Sequence, residues 1–160
     1  MIKKTGAIKM IISLLAGFLA GWASSGYFKN KAITDSTKKI DKYKMYYFVL
    51  NQWLQLKLEG KSIDKYFKDN GYQSIAIYGM GELGTRLYED LKRSDIEVKY
   101  AIDKNVINTF SDLKVYSLKD QLEKVDVIVV TAIFAYDEIY EEISKAVDYP
   151  VISLEEAVWR

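Results

Sequence analysis

Three glycines, Gly79, Gly81 and Gly84, stand at fixed spacing in the segment Ile75-Ala-Ile-Tyr-Gly-Met-Gly-Glu-Leu-Gly84. Where a strand turns into a helix above a phosphate, each glycine has its own use. Gly79 allows the tight turn, and Gly84 lets helix and strand pack closely. A side chain at Gly81 would hold a pyrophosphate away from the backbone. The start of the next helix then offers unsatisfied N–H groups and the positive end of its dipole to the anion. Met80, Glu82 and Leu83 complete the loop, so their backbone belongs to the candidate site. Glu82 brings a carboxylate that competes with a phosphate for those donors, and Arg86, one turn on, offsets it. Asp103, 24 residues beyond Gly79, closes the next apolar run where a ribose hydroxyl would be held, with Lys104 beside it. Thr131 and Phe134 close a later apolar run, at the strand end where ligands bind in doubly wound sheets, and they either line a pocket or serve strand-end packing.

Acid–base and metal chemistry find little material. The chain has no histidine and no cysteine, which removes the commonest neutral-pH proton carrier, disulfides, thiolate chemistry and the usual zinc sites. Tyr88 and Lys92 match a Tyr-x-x-x-Lys spacing, but on the helix after the glycine loop, away from where a reductase places such a pair. Glu138, Glu141 and Glu142 read as a solvated helix face.

These residues need a frame to hold them, and residues 72–160 supply it. Apolar runs at 74–79, 98–103, 114–118, 126–133 and 151–154 alternate with helical stretches at 82–93, 119–124 and 136–147. Continuous apolar strands alternating with helices predict an α/β fold. We expect a small doubly wound parallel sheet of about five strands, order 3-2-1-4-5 with right-handed crossovers. The 126–133 run is the most apolar and is expected to be central in the sheet.

Upstream, residues 1–9 form a basic tail, and residues 10–28 an uncharged run. As a helix that run would rise about 28 Å, close to the roughly 30 Å hydrocarbon core, so we expect a transmembrane helix. Trp22, Tyr27 and Phe28 lie where an interfacial aromatic belt would sit. Small residues around Ala23-Ser24-Ser25 also fit a cleaved signal peptide, although the apolar run is longer than an ordinary signal core. Lys29, Lys31, Lys38, Lys39, Lys42 and Lys44 follow the run, against Lys3, Lys4 and Lys9 before it. The positive-inside rule then puts the C-terminal domain in the cytoplasm of a single-pass membrane protein. Residues 1–70 carry a net charge of +8 and residues 71–160 a net −7, within an overall +1. The basic part suits an anionic leaflet, and the acidic part argues against nucleic acid as a partner.

Residues 29–71 join the two as a helical connector. A long amphipathic helix is expected from about Thr37 to Leu58, capped by Ser36 or Asp35 and stopped by Gly60. A short helix from Ile63 to Lys68 follows, ended by Asn70-Gly71. Ile40, Tyr43, Tyr47, Leu50 and Leu54 fall on one stripe by their alternating three- and four-residue spacing. The first expectation is that this stripe packs on the α/β domain. It would otherwise serve as a seam for a homodimer or partner protein, and Tyr46, Phe48 and Trp53 could instead touch the membrane surface.

The segments IAIYGMGELG, VKYAIDKN and VDVIVVTAIF, taken together, resemble NAD(P)-binding Rossmann-like domains. They are especially similar to the nucleotide-sugar-binding N-terminal modules of PglD-type acyltransferases in bacterial surface-polysaccharide proteins. The resemblance covers roughly residues 72–154, about half the chain. It implies that Gly79, Gly81 and Gly84 face NAD(P) or a nucleotide-sugar, and that Asp103 contacts ribose or base. The chain departs from those acyltransferases in lacking their loop histidine and their β-helix catalytic half, so acyl transfer is not carried over. It also lacks a dehydrogenase's substrate domain. The expectation is therefore a membrane-tethered nucleotide-binding module, accessory or regulatory in cell-surface polysaccharide biosynthesis. The alternatives are an NAD(P)-dependent sugar-modifying enzyme acting with a partner, and an interaction module whose fold binds nothing.

Overall fold

The computed structural model describes residue 31 and residues 33–106 and 112–159. The chain divides into two compact units, Met1–Tyr43 and Lys44–Arg160. In the first unit the described residues are helical, and Thr37 Oγ1 donates to the Ile33 carbonyl at 3.0 Å. That bond belongs to a helix interior, so the helix runs upstream of Asp35 and Ser36 and neither caps its start. The 10–28 run lies outside the described residues. Among the described residues no helix is long and apolar enough to cross a membrane.

The second unit begins with helix α1 (44–58) and continues with α2 (Asp64–Asp69), β1 (Ser74–Tyr78), α3 (Glu82–Leu91) and β2 (Glu97–Ile102). Strands β3 (Val115–Tyr116) and β4 (Val127–Val130), helix α4 (Tyr136–Ala146), strand β5 (Val151–Ser153) and helix α5 (Leu154–Val158) complete it. The five strands form one all-parallel sheet in the order β3-β2-β1-β4-β5, as the alternation of apolar and helical segments predicts. β1 is central and β4, buried along its whole length, is its inner neighbour.

Strand geometry sends alternate side chains to opposite faces. Ile75, Ile77, Val127 and Val129 meet α1, α2, α3 and α5 on one face. Ala76, Tyr78, Ile128 and Val130 meet Ile139 and Ile143 of α4 on the other. Helices therefore cover both faces, which is why β1 and β4 are apolar without alternation.

Helix α1 overturns the expected packing face. Val49, Trp53 and Leu56 are only 1–4% exposed, whereas Tyr47, Leu50 and Leu54 of the expected stripe are 38–65% exposed. The reason lies in Trp53, whose indole Nε1 donates to Asp90 Oδ2 of α3 at 2.9 Å while its rings enter the core. Burying that large apolar surface and satisfying its N–H outweighs burying the smaller stripe residues. Trp53 is thus not available to a membrane surface, and Tyr46 packs partly against the same core. Gly60, at φ +71, ends α1 in the left-handed conformation: Lys61 N donates to Leu56 O and Gly60 N to Lys57 O.

Two further differences concern connections. Residues 119–124 form no helix. Ser117 N donates to Asp120 Oδ2 at 2.7 Å and Lys119 N to Ser117 Oγ at 3.3 Å, so side chains take the donors a helix would order. At the other end α5 was not anticipated. A capping box starts it, with Glu155 N donating to Ser153 Oγ and Ser153 N to Glu156 Oε1. Leu154, Ala157 and Val158 then close the first core.

Asp126 fixes the amino edge of the sheet. Its Oδ2 accepts from Gln73 N, Ser74 N and Ser74 Oγ at 2.7–2.9 Å, and these bonds hold its carboxyl below the usual carboxylate range. A depressed folded pKa contributes stability above the unfolded value, near 3.9, that is lost as pH falls through the folded one. Asp126→Asn should cost about 1 kcal/mol at pH 7, a modest figure because the site is solvent-screened. In denaturant titrations the gap to the unmodified protein should close as pH falls from the unfolded value, about 3.9, through the lower folded one. A gap that stayed constant with pH would refute the clamp.

Candidate functional site

The β1–β2 register shifts between Ile75 and Ala76, after which Tyr78 pairs with Ile102. That shift brings the end of β2 level with the glycine loop, where Gly79 N donates to Ile102 O at 2.8 Å. Asp103, the next residue, accepts from Met80 N on Oδ2 at 2.9 Å and from Asn105 N on Oδ1 at 2.8 Å. The acid expected to face a ribose is thus tied to the loop through one oxygen, and it also lines the crevice beyond.

The three glycines separate cleanly. Gly79 has φ +94, a left-handed conformation that side chains disfavour, and a Cβ there would lie 3.2 Å from Thr131 Oγ1. At Gly84 a Cβ would stand 2.0 Å from the Gly79 carbonyl oxygen, inside any permitted contact. Fold alone therefore demands both. Gly81 has φ −72 and a Cβ there would meet nothing within 4 Å. It is the N-cap of α3, exposed, with no side chain capping the helix.

The remaining expected residues fall in two groups. Glu82 is exposed in the first turn of α3, beside Gly81. Leu83 is 1% exposed in the core, so only its backbone could face a ligand. Thr131 is 3% exposed, and its hydroxyl donates to the Gly79 carbonyl at 2.5 Å and lies 3.2 Å from that of Tyr78. Thr131 holds the loop in place and does not line the crevice. Arg86 does not offset Glu82, because its Nη1 pairs with Glu89 at 2.7 Å along α3. Lys92 sits 5.3 Å from the Tyr88 ring centre and pairs with Asp112, which gives that pair a structural role on α3.

Two adjoining hollows of about 490 and 320 Å³ open at the carboxyl ends of the strands, sharing Tyr78, Asp103 and Lys104. Volumes of this order suit small molecules. The smaller one also holds Gly79, Ala132 and Phe134, where strand order reverses between β1 and β4. Phe134 is 46% exposed there, its ring centre 6.3 Å from that of Tyr46.

Tyr78, which no sequence motif marks, and Glu142, expected only as part of a solvated helix face, join the site. Lys104 Nζ pairs with Glu142 Oε2 at 2.9 Å, and the Tyr78 hydroxyl lies 3.5 Å from the same oxygen. Glu142 lies on an exposed helix face, as expected, and is ion-paired there. The signal was its place four residues after Glu138 on the flank of the buried Ile139–Ile143 stripe. Pairing lowers the Glu142 pKa and raises that of Lys104, while burial pushes the Tyr78 hydroxyl up, opposed by the Lys104 charge and aided by Glu142. The three side chains form one hydrogen-bonded cluster at the crevice. Among the described residues no group of acidic side chains could hold a metal ion. Comparison with protein-family models, with curated proteins and with solved structures finds no match to this chain.

Proposed function

We propose that this crevice binds a nucleotide or nucleotide-sugar, with phosphate over the glycine loop and the hydroxyl-bearing sugar beside Asp103, Lys104 and Glu142. Gly81 carries the reading. Its two companions have steric reasons within the fold, and Gly81 has none, since a methyl group there would meet open space and the N-cap position it fills accepts other residues. Close approach by something outside the chain explains why it is glycine. The carboxylates of the crevice, with Lys104 and Lys119, suit sugar hydroxyls, which accept and donate together, and Phe134 offers a stacking surface for a base. The resemblance of this segment to NAD(P)- and nucleotide-sugar-binding modules points the same way.

In this reading the 10–28 run anchors the chain as a single transmembrane helix with the sheet in the cytoplasm, where such ligands are found. The module would then serve or regulate surface-polysaccharide synthesis. The test is a thermal-shift panel on the full chain in detergent, with NAD(H), NADP(H) and nucleotide-sugars. A stabilisation of about 2.7 kcal/mol is expected for a ligand at a hundredfold its Kd. No shift with any member would overturn the assignment.

A further inference from the structure

The smaller hollow beside the glycine loop is lined by two carboxylates, Asp103 and Glu138, and among the described residues by one cation, Lys104. Asp103 is taken up by two backbone amides. Arg86, the first cation after the loop in sequence, is bound to Glu89 along α3. An anion entering this hollow therefore has Lys104 as its one side-chain counter-charge. Lys104 is engaged elsewhere. Its Nζ lies 2.9 Å from Oε2 of Glu142, which lines the larger hollow and not the smaller one.

That engagement is built to be exchanged. The Lys104 and Glu142 side chains are 70 and 51% exposed, and an ion pair so open to water resists displacement by a factor of only about five. Glu138 and Glu142 stand four residues apart on α4, about 6 Å along its axis, one in the wall of each hollow. Lys104 lines both hollows, and its flexible four-carbon stem can turn from one to the other by changing rotamer. Its ammonium already feels both walls. The Glu142 hydrogen bond first, with smaller contributions from Tyr78 and Glu138, raises its pKa. The Tyr78 hydroxyl, 3.5 Å from the same Glu142 oxygen, stays beside that carboxylate when the ammonium leaves.

We infer that Lys104 is a movable counter-charge for the ligand's phosphate, and that Glu142 competes with the phosphate for it. On arrival of the phosphate in the smaller hollow, the Lys104 ammonium leaves Glu142 and turns to the anion. This role rests on the binding of a nucleotide or nucleotide-sugar over the glycine loop, and it gives Glu142 an unexpected sign. A carboxylate in the wall of the crevice holds affinity down. Glutamine in its place keeps the length and the hydrogen bonds offered to a sugar hydroxyl, and gives up the hold on Lys104.

Calorimetric titration of the full chain in detergent, with NAD and UDP-glucose as probes, tests the exchange. The unmodified protein is compared with Glu142→Gln, with Lys104→Met and with the two changes combined, circular dichroism confirming that all are folded. For a probe that binds, Glu142→Gln should bind about fivefold more tightly, the factor held back by the exposed pair. Lys104→Met should bind about tenfold more weakly, as loss of a charged hydrogen bond to phosphate requires. Adding Glu142→Gln to Lys104→Met should then bring no further gain. Unchanged or weaker binding by Glu142→Gln would overturn the role assigned to the pair. So would an equal gain with and without Lys104, which would mean plain repulsion between carboxylate and phosphate. In both cases the probe still binds and the nucleotide reading of the crevice stands. Binding of neither probe to any of the four proteins would overturn that reading and the role of Lys104 with it.

Discussion

Gly84→Ala should cost about 3 kcal/mol or more, towards the upper end for an overpacked interior. The added methyl would stand 2.0 Å from the Gly79 carbonyl oxygen and 3.1 Å from both the Gly79 carbonyl carbon and Thr131 Oγ1. The nearest of these atoms is backbone, so no side chain can swing aside. Either α3 lifts from the sheet or the β1–α3 turn opens. α3 is committed through Leu83, Leu87 and Leu91, none more than 1% exposed, and the turn is held by Thr131. Both escapes are expensive. Urea denaturation of the full chain should show the loss. Gly81→Ala, three residues away, should stay within about 1 kcal/mol of the unmodified protein, the range of N-cap exchanges. Equal losses at both positions would contradict the division of roles drawn above.

The second large effect is expected at Trp53. Trp53→Ala removes a side chain only 4% exposed and leaves Asp90 Oδ2 without the indole N–H that reaches it at 2.9 Å. Large aromatic deletions of this kind cost about 3–5 kcal/mol. Against a total stability of roughly 5–15 kcal/mol this is a large share. Asp90 keeps Lys57, whose Nζ lies 2.6 Å from Oδ1, so Trp53→Phe should recover most of the packing and lose about 1 kcal/mol. Hydrogen exchange should show α1 loosening first in the alanine variant. If Trp53→Ala proved as stable as the unmodified chain, the docking of α1 through this face would be wrong.

Much of the fold was legible because its signals are local. The apolar runs of β1, β2 and β4 and the glycine turn predict a parallel sheet with order 3-2-1-4-5, and that order is present. The face of α1 was not legible, because one helix satisfies two apolar periodicities at once. Spacing alone cannot say that Trp53 will find Asp90, 37 residues along the chain. Helix α5 could have been read from Ser153 and Glu156, a capping box in plain sequence. The turn at Ser117–Asp120 was missed because helix propensity at 119–124 carries no sign that Asp120 will take the Ser117 amide.

The site divides the same way. The loop glycines and Asp103 could be found by spacing, whereas Tyr78 and Glu142 meet only because β1 and α4 converge at the sheet's carboxyl edge. Thr131 shows the limit of position alone. A strand end fits a ligand contact or strand-end packing, and its hydroxyl bonds to the Gly79 carbonyl.

Gly81→Asp tests the central claim most directly. Aspartate is a favourable N-cap, so the variant should fold with stability equal to or above that of the unmodified chain. Its carboxylate would occupy the open space beside the α3 N-terminus, where a phosphate is proposed to sit. Calorimetric titration of both proteins with the ligand that shifts the unmodified chain should show at least a hundredfold weaker binding to Gly81→Asp. Equal affinity in two equally folded proteins would contradict a phosphate over this loop.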